Sequence, residues 1–408
     1  MKFIALHILR SLPFSCVNRG EDGAPKSCIF GGTIRARISS QSIKRAIREY
    51  LKGKNKDFFR GCRTKHIVKL LTDFFKNNQV GNSEDLAKAV TSILSDKFEE
   101  GIRTKTVLFL SNGEIELIGQ AALSVNEPER LVEKKTPESS EEKKASKKKV
   151  KKTEEPVKAV EDIAKKTEEP VEAVEDELLD IKYTASEKLT KAVKTQLKSL
   201  KGLTAKDTAD IGIFGRMVTS LDINVDSAIA CSHPLSVHEV TNEIDYFTAV
   251  DDVAPNKGAA HVDEALYNSA TYYQTIFINI DQLKTNLSVF TTEQFKVILD
   301  LLLRGCMLSL PEGKKNTAFG ITPPSYAKGL LIEGGSPLTL ANAYEAVLNP
   351  SNNGYVENAT TVLKQEWDKQ NKDLGDELGK IKAEVEFPNK NLTDFCKELT
   401  DSCLNISF

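Results

Sequence analysis

The stretch TIRARISSQSIKRAIREYL, residues 33–51, changes its apolar period in the middle, and that change decides the fold class. From Ile34 to Ile38 apolar and basic residues alternate, the period of an extended strand, which puts Arg35 and Arg37 on one face. Ser39, Ser40, Gln41 and Ser42 then supply N-cap candidates for a helix running from Ile43 to about Leu51. Ile43, Ala46, Ile47 and Tyr50 form its apolar stripe, with Lys44 and Arg48 four apart on another face. Upstream, Phe3 to Leu9 reads as a strand. Downstream, residues from about 58 to 130 and from about 184 to 207 have helical spacing. Tyr272 to Ile280 reads as a strand and Glu293 to Leu308 as a helix started at Thr291-Thr292-Glu293. A strand near Leu330 to Glu333 follows, then helices at about Leu338 to Leu348, Ala359 to Glu384 and Leu392 to Ser402. Strand, helix, helical insertion, strands, helix, strand predicts an α+β domain of the split βαβ type.

The 408 residues carry 56 Lys+Arg against 58 Asp+Glu, a net of −2 that by itself argues against a nucleic-acid binder. The average conceals a segregation: residues 1–70 hold 16 basic and 4 acidic side chains (+12), and the other 338 hold 40 and 54 (−14). Arg19, Lys26, Arg35, Arg37, Lys44, Arg45 and Arg48 crowd into the first part, interrupted by Phe30-Gly31-Gly32. Such cations neutralise phosphates, and free amides at a helix start add an anion site; the alternative is a merely soluble surface, and the imbalance favours phosphate. No apolar run spans a bilayer and the N-terminus has no secretory cleavage pattern, so a cytoplasmic protein with no membrane partner is expected. The seven cysteines are scattered without metal-ligand spacing, so no metal and no cofactor are expected.

From Leu131 to Leu178 there are 12 lysines, 14 acidic residues and no aromatic, and KKTEEPVKAVEDIA (151–164) is followed directly by KKTEEPVEAVEDEL (165–178). This composition cannot repay its own ordering entropy and reads as a solvated insertion. Elsewhere, Arg216 and Met217 follow a glycine turn; Met217 either fills a core gap or acts as an apolar wedge between bases. Asn242 to His261 reads as a long hairpin whose Tyr246, Phe247 and Thr248 either stack on bases or cap a small core. Asp251, Asp252 and His261 lack the pattern of a metal or acid–base site, and the basic loop with Lys314 and Lys315 lacks that of a P-loop. Catalysis is not indicated.

Phe30-Gly31-Gly32 running into RISSQSIKRA (37–46), then Phe214-Gly215-Arg216-Met217, then DYFTAVDD (245–252), resembles the CasC (Cse-type) crRNA-binding backbone subunit of type I-E CRISPR Cascade. The resemblance extends to the segment 337–344 and covers most of the chain outside the insertion. It implies an RRM-like (ferredoxin-like) palm in three parts, 1–57, 208–235 and 269–408 with C-terminal helices. It also implies helical fingers at 58–207 that carry the 131–178 insertion, and a β-hairpin thumb at 236–268. The implied function is a non-catalytic subunit that oligomerises into a helical filament along crRNA and flips nucleotides out at intervals, so that the guide pairs with target DNA. CasA, CasB, CasD and CasE types are the implied protein partners. By matching position, Arg19, Lys26, Ser39, Gln41, Lys44, Arg45 and Arg48 are expected to grip the RNA backbone, Met217 to wedge at the kink, and Tyr246, Phe247 and Thr248 to lie on the thumb. The competing class is a ribonuclease that cuts guide-paired RNA with Asp251 or Asp252.

Overall fold

The computed structural model describes residues 1–95, 98–99, 103–126, 133–135, 182–199, 208–218, 223–250 and 259–405. The Lys/Glu repeat and Asp251 and Asp252 lie outside them. The chain divides into two compact units, one made of Met1–Arg63, Phe109–Ile115 and Leu197–Phe408, the other of Thr64–Leu108 and Glu116–Gln196.

The first unit is built on an antiparallel sheet whose strands lie in the order Ile229–Cys231, Ala259–Asn279, Lys2–Ser15, Tyr326–Glu333 and Lys380–Phe387. Helix Ser40–Lys54 follows the first strand, and Thr292–Leu308 connects the long strand to Tyr326–Glu333. The first four of these strands, in that spatial order, make the expected split βαβ arrangement, with Lys380–Phe387 added at an edge.

The strand Lys2–Ser15 is buried on both faces, and its residues sort by alternation. Ile4, Leu6 and Ile8 join one core with Ile43, Ile47 and Leu51 of the first helix, Ile298 and Leu302, and Phe395 and Leu399 of the last helix, Leu392–Asn405. Phe3, Ala5 and Leu9 join another with Leu340, Tyr344, Leu363 and Trp367. The second core is roofed by helix Val356–Leu374, so this face is no open stacking platform of the kind RNA-recognition sheets present. His7 is the polar member of that face. Its Nδ1 lies 2.9 Å from the Tyr273 hydroxyl, which lies 2.6 Å from Thr275 Oγ1 and accepts from the Leu340 amide at 2.9 Å. Burial, assisted by the nearby Lys328 charge, lowers the His7 pKa to about 3.

The helix expected from Ile43 starts at Ser40, because Ser39 is its N-cap and accepts from the Ser42 amide. Thr291 and Gln294 form a reciprocal capping box at the start of Thr292–Leu308. Two expectations need correction. Residues 338–348 form only the short 3-10 turn Ala341–Tyr344, and the Leu348 amide donates to the Val237 carbonyl rather than extending a helix. The helix expected over 359–384 ends at Leu374; Gly375 and Gly379 take positive φ (51° and 88°), and Lys380–Phe387 becomes the edge strand. Its Ile381, Ala383, Val385 and Phe387 alternate with charged residues, the period of a strand.

The second unit contains helices Ile67–Asn77 and Ser83–Leu94, which pack together and bury Val68, Leu71, Phe75, Leu86 and Val90, and most of helix Glu187–Ser199.

Candidate nucleic-acid interface

The hairpin grows out of the sheet without a break. The long strand Ala259–Asn279 pairs with Lys2–Ser15 along its second half and with Glu243–Val250 along its first. Strand alternation gives it two faces. Ile244, Tyr246 and Thr248 stand opposite Leu266, Glu264 and Val262 on one, and Tyr246 is 69% exposed. Phe247 is on the other face, opposite Asp263. At the foot, Tyr267 is buried with Cys16 and Ala265; the Phe14 ring stacks on it with centroids 4.7 Å apart, and Lys314 Nζ lies 5.0 Å from its centroid.

The basic segment is different: most of its cations are engaged inside the protein. Arg35 is wholly buried, and its guanidinium donates to Thr33 Oγ1 (2.9 Å) and to the carbonyls of Ser236 (2.8 Å), Tyr344 (3.0 Å) and Glu345 (3.0 Å). Arg37 donates to the Ser27 carbonyl and has Nη1 3.2 Å from His233 Nδ1. Lys44 donates to the Ile229 carbonyl at 2.9 Å. Arg48, with a side chain only 14% exposed, pairs with buried Asp210 at 3.7 Å and sits 5.0 Å over the Phe109 ring. Lys26 is half-buried. Arg19, Gln41 and Arg45 are exposed, and neither arginine has an ion-pair partner among the described residues.

The helix start is also largely occupied. Asn18 Oδ1 accepts from the Ser39 amide (2.8 Å), His233 Nδ1 from the Ser40 amide (3.3 Å) and Ser39 Oγ from the Ser42 amide (3.3 Å). Ser39 is buried and caps the helix.

After the turn at Gly215 (φ 74°), Arg216 and Met217 part company. Arg216 is buried, its Nη1 donates to both oxygens of buried Glu114 at 2.7 and 2.6 Å, and its Nε donates to the Ile223 carbonyl. Met217 is 83% exposed. A thioether that free fills no gap in the core of this chain.

Among the described residues no cluster of His, Cys, Asp or Glu could hold a metal ion, and no helix is long and apolar enough to cross a membrane.

The family model described as CT1975-like protein matches residues 4–397. The chain belongs to the CT1975-like protein family. Among curated proteins no match was found. Among solved structures the fold is similar to a chain of a "CRISPR RNA-guided surveillance complex, pre-nicking", with TM-score 0.69, 22% identity and 100% of both chains covered. It is also similar to a chain of a "CRISPR RNA-guided surveillance complex", with TM-score 0.60, 17% identity, 98% of this chain and 99% of the other. At these identities the likeness is one of fold.

In this CT1975-like protein the structure therefore divides the expected site residues. Arg19, Gln41, Arg45, Met217, Tyr246, Phe247, Thr248 and Lys315 have exposed side chains, although Lys315 pairs with Glu312. Lys26, Arg37, Lys44, Arg48 and Lys314 are half-buried. Arg35, Ser39 and Arg216 are interior, each engaged by other groups of the chain. The residues that sequence reasoning missed are the partners: Asn18, His233, Asp210 and Glu114. Nothing in their local sequence marks them, because each acts on a residue distant along the chain.

Proposed function

We propose that this CT1975-like protein is a non-catalytic backbone subunit of a CRISPR surveillance complex of the Cascade kind, CasC-like in type I-E. In this reading it oligomerises along crRNA and holds the guide by phosphate, sugar and base faces so that its pairing edges remain free for target DNA. The observation that carries this reading is the full-length fold likeness to a surveillance-complex chain, with 100% of both chains covered. The exposed face of Tyr246 and Thr248, and Met217, with Arg19 and Arg45, which have no ion-pair partner among the described residues, support it. All are groups that engage any nucleotide, and a guide holder must be indifferent to sequence. In this reading Met217 is the wedge that unstacks the strand, the thumb hairpin covers the nucleotide displaced there, and an open head-to-tail contact propagates the array along a linear RNA.

The test is to purify the chain from its own host and sequence the nucleic acid that accompanies it. Small RNAs sharing a common repeat are expected. Recovery of no RNA, or of RNAs with no shared repeat, overturns the reading.

A further inference from the structure

The loop at 312–320, which runs from the helix Thr292–Leu308 toward the strand Tyr326–Glu333, is fastened to the segment 13–17 at both ends. The Gly313 amide donates to the Val17 carbonyl at 3.1 Å, and a Cβ at Gly313 would lie 2.6 Å from the carbonyl oxygens of Cys16 and Val17. A Cβ at Gly320 would lie 2.5 Å from that of Ser15, with Pro13 next to it. Between these anchors the amides of Thr317 and Ala318 both donate to the Lys314 carbonyl, and Lys314 itself holds φ 48°, a conformation that β-carbon residues rarely adopt.

The turn and the strand end it is fastened to each carry an exposed phenylalanine ring. Phe319 is 70% exposed beside Gly320, and Phe14, next to Pro13 and Ser15, is 38% exposed with its inner face stacked on Tyr267. Two cations lie at the same foot of the hairpin, where Phe14 stacks on Tyr267. Lys314 sits over Tyr267, and Lys314 and Arg19 both lie near enough to Cys16 to oppose the upward push of burial on its thiol. Exposed rings held by glycine-locked backbone among lysine and arginine are the make-up of a platform for single-stranded nucleic acid: phosphate is held by charge and the base by its π-face.

We propose that Phe14 and Phe319 form a base-stacking platform at the foot of the hairpin, taking nucleobases of single-stranded RNA, with Lys314 and Arg19 on the adjoining phosphates. This rests on the RNA-binding reading and adds to it a second aromatic contact, apart from the Tyr246 face.

The experiment measures equilibrium binding of a labelled 30-nucleotide single-stranded RNA to the full chain, at several salt concentrations, for wild type, Phe14→Ala, Phe319→Ala, Phe319→Leu and Phe319→Trp. Each alanine variant is expected to bind roughly 5- to 150-fold more weakly with an unchanged salt slope. Phe319→Leu keeps apolar bulk without a stacking face and is expected to resemble the alanine variant. In Phe319→Trp the fluorescence of the introduced indole is expected to be quenched on adding oligouridylate; the chain's one native tryptophan, Trp367, is buried. Wild-type binding with undiminished affinity in both alanine variants overturns the platform and leaves the RNA-binding reading standing. Full affinity in Phe319→Leu, or lost self-association at unchanged RNA affinity, likewise overturns it, the latter by assigning the rings to a protein contact. Absence of RNA binding by the wild type overturns both.

Discussion

The segment 18–48 and the hairpin 243–268 look like opposites in composition, one rich in cations and the other in aromatic and acidic residues, and the structure reverses what each offers. In the first, Arg35, Arg37, Lys44 and Arg48 hold internal carbonyls, His233 and Asp210. In the second, Ile244, Tyr246 and Val262 stand in solvent on one face. Charge count therefore overstates the electrostatic surface of the first region, and hydrophobic count overstates the core of the second. Among the described residues, folding leaves Arg19 and Arg45 without an ion-pair partner in the first region, and leaves Tyr246 exposed in the second.

The largest expected effect breaks the comparison at its interior end. Arg216→Met leaves the Glu114 carboxylate buried without its cation and is expected to destabilise the chain by about 3–5 kcal/mol. The double replacement Arg216→Met with Glu114→Leu is expected to recover most of that loss. Urea unfolding of the three chains measures both. A folded Arg216→Met protein with normal stability but weakened RNA binding would return Arg216 to the contact surface.

Tyr246→Ala acts at the other end. Its ring is exposed, so stability is expected to change by less than about 0.5 kcal/mol, while RNA affinity is expected to fall by about 1–3 kcal/mol, the range for one stacked base. Phe247→Ala, on the opposite face, is expected to lose less. Equal losses at both would mean that RNA, or another copy of the chain, wraps the hairpin on two sides.

His7 sharpens the account of the interior. Its folded pKa of about 3 lies below the ordinary 6.5, so between these values the unfolded chain binds the proton and the folded one does not. Stability is complete above pH 6.5 and lost as pH falls toward 3, by roughly 1.4 kcal/mol per unit within that window. His7→Gln is expected to flatten this part of the acid limb in thermal melts. An unaltered limb would show that His7 opens to water before the rest of the sheet does.

How much of this is legible in the sequence depends on the range of the interaction that decides each point. The period change at residues 33–51, the caps at Ser39 and Thr291 and the strand Lys2–Ser15 are local, and the sequence carries them. The edge strand Lys380–Phe387 is hidden because alternating charges after a long helix look like its continuation, and only Gly375 and Gly379 mark the stop. The burial of Arg35 is invisible to a local reading because its acceptors, Ser236 and Tyr344, lie 201 and 309 residues away. An alternating apolar/basic strand looks amphipathic from any local window. Met217 is ambiguous for the same reason, since its exposure is fixed by where Arg216 finds Glu114, 102 residues back.

The smallest effect tests the division of the cations directly, and it is best read as a slope. Each phosphate contact on single-stranded RNA contributes about 0.7 to the log–log salt dependence, so removing one changes the twofold-salt response by only about 1.6-fold. Affinity at one salt concentration would confuse such a change with lost folding or packing. Arg19→Ala and Arg45→Ala are each expected to lower the slope by about 0.7, because neither side chain has an ion-pair partner among the described residues to keep it from phosphate. Lys44→Ala and Arg48→Ala are expected to leave it unchanged, because Ile229 and Asp210 already hold those groups. Arg48→Ala still loses stability by leaving a buried carboxylate without its cation, so a lower affinity there with a constant slope supports the division. A lower slope for Lys44→Ala or Arg48→Ala would mean that RNA draws these cations out of their internal bonds. The basic segment would then be a store of charge released on binding rather than a framework.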